Sequence, residues 1–328
     1  GYDRCVLSGA MATTARILVT GATGRVGGVG RTVVALLRRR GLPVRAFVHH
    51  DDERADELRA QGAEVVVGDL TDGSQVVRAL EGCRRMYLGL SVSPEYLAAT
   101  VMVAAAARER GLEALVNISQ MTVSAMSLDW MSDSSQQRQH WMAERVLDWS
   151  GLPVVEIRPT VFFENPLFSM VAAESILEDN TIRLPFGEGR TSPIAARDVA
   201  EVIATILAEP GPHIGKVYEL TGPISQDMHG VANEYSHALG RSIMYVDAPF
   251  EDWKEQLRTK GFPEHVFEHL ATMARLHAEN RYDRLTHDVE AIIHRPATSI
   301  TELVAERAAL FTPSQPGGRR RRAGAARL

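Results

Sequence analysis

The stretch Ile17-Leu18-Val19-Thr20-Gly21-Ala22-Thr23-Gly24-Arg25-Val26-Gly27 decides the fold. An apolar, β-branched run leads straight into a turn with glycine at every third position, and an amphipathic run, Val33–Arg40, follows. A strand, tight turn and helix in this order leave free backbone N–H groups at a helix N-terminus. A pyrophosphate can reach them only where no side chain intervenes. Gly21, Thr23, Gly24, Arg25, Val26 and Gly27 are therefore the expected cofactor cradle. A second cluster, Gly28-Val29-Gly30, follows where the helix should be under way, so the third glycine of the loop is either Gly27 or Gly30.

Outward from this turn, strand and helix signals alternate as far as Arg158. Apolar runs at Arg16–Thr20, Val44–Val48, Glu64–Val67, Arg85–Leu88, Ala114–Ile118 and Pro153–Ile157 are separated by helical stretches. These are Val33–Arg40, Glu53–Ala60, Ser74–Leu80, Pro94–Glu109 and Ser135–Trp149. Strands that are apolar on both faces, joined by helix-length crossovers, predict an α/β fold with a doubly wound parallel sheet, the Rossmann arrangement.

After Arg158 the rhythm changes. Asp198–Ala208 reads as a helix and Lys216–Leu220 as a further strand. From Phe250 to Asn280 helices carry a broad apolar face of Trp253, Leu257, Phe262, Val266, Phe267, Leu270 and Met273. The expected division is a dinucleotide-binding domain over 11–165 and a smaller, mostly helical substrate lobe or lid over 166–311, interleaved with the sheet. Met11 reads as the natural start, with 1–10 and 312–328 as disordered extensions, the latter carrying the basic run Arg319–Arg322.

Composition narrows the function. A formal net charge of -5 argues against a chain built to grip nucleic acid. Cys5 and Cys83 cannot form a disulfide framework, which points to a reducing, cytoplasmic setting. The near-apolar run Leu97–Ala107 is too short to span a membrane, and the first ten residues lack the pattern of a signal peptide. No metal site is read in the sequence.

About 20 residues beyond the glycines a dinucleotide site reads the ribose 2′ position. Here that is the tip of the second strand, Val48-His49-His50-Asp51-Asp52. An acid at the tip would accept from a 2′-hydroxyl; instead His49 and His50 stand there, and Arg25 offers a charge to a 2′-phosphate. The expectation is NADP(H) over NAD(H).

Taken together these motifs resemble the NmrA-like branch of the atypical short-chain dehydrogenase/reductases, from Ile17 to about Phe311. The resemblance also rests on Gly68-Asp69-Leu70, Val116-Asn117-Ile118-Ser119, the helix His140–Glu144, Ser150-Gly151-Leu152-Pro153 and Arg158-Pro159-Thr160-Val161-Phe162-Phe163-Glu164-Asn165. Asp198-Val199-Ala200 and the closing His294-Arg295-Pro296, with Phe311, complete it.

The resemblance implies that Asp69 and Leu70 lie beside the adenine, Leu90 and Ser91 near the ribose, and Pro159, Val161 and Phe162 by the nicotinamide. It also implies a Ser after the fifth strand, for which Ser119 is the candidate, with Thr122 and Ser124 as alternatives. Active members of the wider superfamily carry a Tyr four residues before a Lys on the fifth helix, where the Lys can depress the Tyr pKa. In this chain those positions hold Gln136 and His140. Gln cannot protonate a forming alkoxide, so His140 either replaces the acid or holds the ribose.

Two functions follow. One is an NAD(P)H-dependent reductase that passes hydride to a carbonyl, quinone or enone held against Met121, Trp141, Phe162 and Phe163. Lysine occurs only at 216, 254 and 260 among 36 basic residues, which suggests a GC-rich genome and fits a tailoring enzyme for an aromatic secondary metabolite. The other is a non-catalytic regulator that binds dinucleotide as a redox signal and docks to a partner protein, as the missing Tyr would allow. The bulky apolar lid favours the reductase and a small apolar or aromatic substrate.

Overall fold

The computed structural model describes residues 15–24, 28–91 and 93–313. Strand β1 (Arg16–Val19) enters the glycine turn and helix α1 (Val29–Arg39) leaves it. The step then repeats as β2 (Val44–Val48) with α2 (Glu53–Ala60), β3 (Glu64–Val67) with α3 (Gly73–Ala79), and β4 (Cys83–Leu88) with α4 (Tyr96–Arg110). Strand β5 (Ala114–Ile118), α5 (Ser135–Trp149) and β6 (Val154–Pro159) complete the series. Caps start these helices where the sequence supplies an acid or a hydroxyl: Asp52 accepts from the N–H of Arg54, Asp72 from those of Ser74 and Gln75, and Ser134 from that of Gln137.

Beyond β6 the chain leaves the sheet for a wide helical turn (Leu167–Ala172), α6 (Ala173–Asp179) and β7 (Thr181–Leu184). It returns with α7 (Ala196–Ala208) and β8 (Val217–Leu220), and leaves again for α8 (Met228–Leu239), β9 (Met244–Asp247), α9 (Phe250–Arg258) and α10 (Glu264–Ala278). Helix α11 (Asp288–Ile293) comes back onto α7 and β8, and α12 (Ile300–Glu306) closes on α8. The interleaving of lobe and sheet is thus a repeated crossing.

The main sheet has seven parallel strands in the order β3-β2-β1-β4-β5-β6-β8. Both faces are covered, which is why its strands read as continuous apolar runs. On β1, Ile17 and Val19 pack with residues of α1, α2, α7 and α11, while Leu18 packs with α3 and α4. A separate core fills the lobe around Phe168, Phe186, Tyr235, Trp253 and Leu270.

The second half is less purely helical than its sequence suggests. Thr181–Leu184 and Met244–Asp247 pair in parallel as a second, two-stranded sheet. Four residues each are too few to show a period-2 pattern. Among the described residues no helix is long and apolar enough to cross a membrane. The expected extension over 1–10, and the C-terminal one from residue 314 on, lie outside the described residues; at their near edge Phe311 is buried in the lobe.

Candidate functional site

The order of the sheet reverses between β1 and β4, whose following helices lie on opposite faces. Such a reversal opens a crevice at the C-terminal strand ends. Thr20 ties the two strands together there: its Oγ accepts from the N–H of Gly89 at 2.9 Å and lies 3.0 Å from the Gly89 carbonyl oxygen. A cavity of about 710 Å³ runs along these strand ends and continues beneath α10.

At one end the cavity is a cradle from which side chains are excluded. Gly21 has φ of 66°, and a Cβ on it would lie 2.6 Å from the Gly89 oxygen. A Cβ on Gly30 would lie 2.7 Å from the oxygen of Gly21 and 2.9 Å from the Cα of Ala22. Gly30, in the first turn of α1, therefore lets the helix press against the glycine turn, the role expected of a third glycine. Arg25, Val26 and Gly27 lie outside the described residues; Thr23 and Gly24 line the cavity.

The tip of β2 contributes His49, His50 and Arg54. The carboxylates just beyond the tip are already engaged. Arg59 binds Asp51, while Arg54 binds Asp52 at 2.6 Å and the Thr23 carbonyl at 3.0 Å. Both acids are held below the usual carboxylate range, chiefly by these arginine hydrogen bonds. Arg54, the second residue of α2 and visible in the sequence as a base after three acids, is a lining residue that sequence reasoning missed.

Asp69 and Leu70 line the cavity beyond β3, as do Leu90 and Ser91 beyond β4. Asp69 also organises its own turn: its Oδ1 accepts from the N–H of Thr71 at 2.8 Å and from the Thr71 hydroxyl at 2.7 Å. These bonds hold its carboxyl below the ordinary value.

The middle of the cavity brings Ser119, Gln136, His140, Pro159 and Val161 together. Ser119 is 2% exposed and His140 5%, yet neither Ser119 Oγ nor His140 Nδ1 has a hydrogen-bond partner among the described residues. Buried orphans of this kind are rare and call for an occupant. The His140 tautomer follows from its neighbours. Gln136 Oε1 accepts from the N–H of Ser93 at 3.1 Å, so the Gln136 amide nitrogen donates to His140 Nε2, also at 3.1 Å. The ring proton is left on the orphan Nδ1.

Burial, with His269 nearby, pushes the His140 pKa down to about 3. Glu144, one turn along α5, is gripped by Arg158 and does not pair with the ring. Desolvation disfavours the charged ring, so His140 is held as the neutral imidazole with its N–H at Nδ1.

The far end lies against α10. Phe162 and Asn165 face Val266, His269, Leu270 and Met273 of α10, with Tyr282 beside them. Three expected pocket residues are not among those lining this space. Phe163 follows Phe162 along an extended segment and so turns the other way, into the lobe core against Phe168 and Tyr235. Trp141 lies about 100° around α5 from His140 and sits under the guanidinium of Arg145, 5.2 Å away. Met121 is buried within its short helical turn, where Gln120 and Thr122 reach the cavity instead. The lid histidine, His269, was also missed; its signal was a single polar residue interrupting an apolar helical stripe.

Residues 13–305 match the NmrA-like family. The chain belongs to the NmrA-like family. Among curated relatives, the NAD(P)H azoreductase of Xenophilus azovorans is 29% identical over 297 residues, covering 90% of this chain and 99% of that protein. A (4-alkanoyl-5-oxo-2,5-dihydrofuran-3-yl)methyl phosphate reductase of Streptomyces griseus is 30% identical over the same shares of the two chains. Among solved structures, the NADPH-dependent quinone oxidoreductase of Escherichia coli, determined with NADPH, superposes with a TM-score of 0.77. It is 25% identical, and the match covers 89% of this NmrA-like chain and 99% of that one.

Proposed function

We propose that this NmrA-like protein is an NAD(P)H-dependent reductase that prefers NADPH and delivers hydride to a neutral, flat, conjugated acceptor such as a quinone. The observation that carries the reading is one continuous cavity joining the Gly21–Gly30 cradle to the apolar lid, with the orphan Ser119 Oγ and His140 Nδ1 between them. The cradle suits a pyrophosphate and the lid suits an apolar ring. The reductases to which the chain is similar, over nearly its whole length, support the same chemistry.

When bound, the reduced dinucleotide supplies one hydride, and one proton taken up completes a hydroquinone. The residues of this chain position and polarise. Ser119 and His140 offer neutral hydrogen bonds, and Phe162 with the α10 side chains excludes water from above. A quinone spreads incoming charge over its ring, so it needs no strong acid, and Gln136 at the usual Tyr position is no obstacle. Preference for NADPH rests on Arg54 and the His49–His50 pair at the β2 tip, where Asp51 and Asp52 are already bound by arginines.

The test is to mix the protein with NADPH and a panel of quinones and follow absorbance of the reduced nicotinamide. Multiple turnovers with at least one quinone are expected. NADPH binding without turnover on any acceptor would favour a dinucleotide-sensing regulator instead.

A further inference from the structure

We propose that His269 is a substrate-positioning residue, presenting its Nε2–H from the lid to an acceptor oxygen of a neutral, carbonyl-bearing substrate. The proposal rests on the reductase reading above and adds the group that orients the substrate from the lid side.

Helix α10 sends Val266, His269, Leu270 and Met273 to the cavity, a stripe at helical spacing in which His269 alone is polar. The ring is 7% exposed, and its Nδ1 lies 2.7 Å from the hydroxyl of Ser134. Ser134 is fully buried and caps α5, so its Oγ already accepts from the N–H of Gln137 at 3.2 Å. The hydroxyl proton needs an acceptor, and His269 Nδ1 is the one within reach. Were Nδ1 protonated instead, that hydroxyl proton would be buried with nowhere to go. The imidazole proton therefore resides on Nε2, which finds no protein partner among the described residues.

The charge around this donor selects the ligand. Burial pushes the pKa of His269 down to about 4, so the ring donates without carrying a charge. Among the described residues, the charged side chains that line the cavity are Arg54, Asp69 and Glu95, and none belongs to α5, to the Pro159–Pro166 segment or to α10. A cationic ring would meet no carboxylate at the lid, and a carboxylate would meet no cation. A quinone-type carbonyl oxygen on a hydrocarbon frame meets one neutral N–H among Phe162, Val266, Leu270 and Met273. A fixed donor aimed at an oxygen that gains charge during reduction strengthens as the charge develops.

The alternative is that His269 merely ties the lid to α5 through Ser134, and three substitutions separate the two roles. His269→Gln keeps an amide N–H near the position of Nε2. His269→Asn keeps a polar atom facing Ser134 but removes the cavity donor, and His269→Phe removes both while filling the space. Binding of 1,4-naphthoquinone to the full chain loaded with NADP+, which cannot donate hydride, is measured by calorimetry.

The Gln variant is expected to bind within about threefold of wild type, and the Asn and Phe variants about tenfold more weakly. With NADPH, kcat/KM of the Phe variant should fall about 10²-fold while NADPH affinity stays unchanged. Equal quinone binding by all variants, a Gln variant as weak as Phe, or a wild-type complex that does not bind the quinone would each overturn the assignment. Quinone binding that follows the expected order without any NADPH oxidation would sink the reductase reading and leave the His269 contact standing.

Discussion

Arg158 grips the carboxylate of Glu144 with two bonds, Nε to Oε1 at 3.0 Å and Nη2 to Oε2 at 2.6 Å. Glu144 is thus committed to β6 and leaves His140, one turn away on its own helix, without an anionic partner. With its pKa held near 3 by burial, His140 stays neutral across the working range. Turnover with a carbonyl acceptor is expected to pass pH 6.5 without an inflection, read from initial rates between about pH 5.5 and 8. His140→Phe, which fills the space without the N–H, should slow turnover about 10²-fold. An inflection near 6.5 that disappears in this variant would put an imidazolium back in the site.

Gly30→Ala tests the cradle. Its methyl would lie 2.7 Å from the Gly21 oxygen and 2.8 Å from the carbonyl carbon, and both are backbone atoms that cannot rotate aside. The variant is expected to lose about 1–3 kcal/mol of stability through overpacking and to bind NADPH at least about tenfold more weakly. Titration of nicotinamide fluorescence measures the second effect. Unchanged affinity in a folded variant would move the pyrophosphate away from this turn.

Arg54→Ala addresses the choice of cofactor. Loss of a charge-assisted contact to a 2′-phosphate should cost NADPH about 1–3 kcal/mol more than NADH. Comparing the two dissociation constants in wild type and variant gives the answer, and an equal loss for both would remove Arg54 from that role.

The stability of the fold should itself peak near pH 6.5. His140, His269 and His277 are buried with pKa values pushed by desolvation to about 3, about 4 and about 3, against 6.5 when free. Their contribution is present above pH 6.5 and is lost as pH falls, because the unfolded chain takes up protons that the folded chain refuses. Glu156 has the opposite sign. Burial, with Glu144 nearby, pushes it up to about 8 from 4.5, so its neutral form stabilises the fold at low pH and that contribution is lost as pH rises through 8.

Below 6.5 three histidines outweigh one glutamate; above it the glutamate slope remains. Thermal midpoints across pH 4–9 should trace this maximum, and Glu156→Gln should flatten the alkaline side. A midpoint that keeps rising from 6.5 to 8 would contradict the buried neutral carboxyl.

The glycine-turn end of the cavity was legible because its determinants are local. A glycine turn after β1, a strand tip at His49 and a Gly68-Asp69-Leu70 turn each sit within a few residues of the element that positions them. The lid end was not, because its geometry comes from tertiary packing. Phe162 and Phe163 look alike in sequence, and only their alternation along an extended segment decides which one meets the cavity. That Gly30 falls in the first turn of α1 could be read only once the helix start at Val29 was placed. His269 contacts Ser134, 135 residues earlier in the chain, a pairing that no periodicity announces. The short strands β7 and β9 define each other and were unreadable singly.

The repeated crossing between sheet and lobe has a consequence for how the molecule comes apart. The chain departs after β6, returns for α7 and β8, departs for α8 to α10, and returns once more for α11 before α12 closes the lobe. No single break in the backbone divides it into a sheet half and a lobe half, so the two regions are not modules that recombination could exchange with one cut. Heat should therefore melt both in one cooperative transition, with calorimetric and van't Hoff enthalpies in agreement. A nick at any one crossing should leave both pieces held together until the whole unfolds.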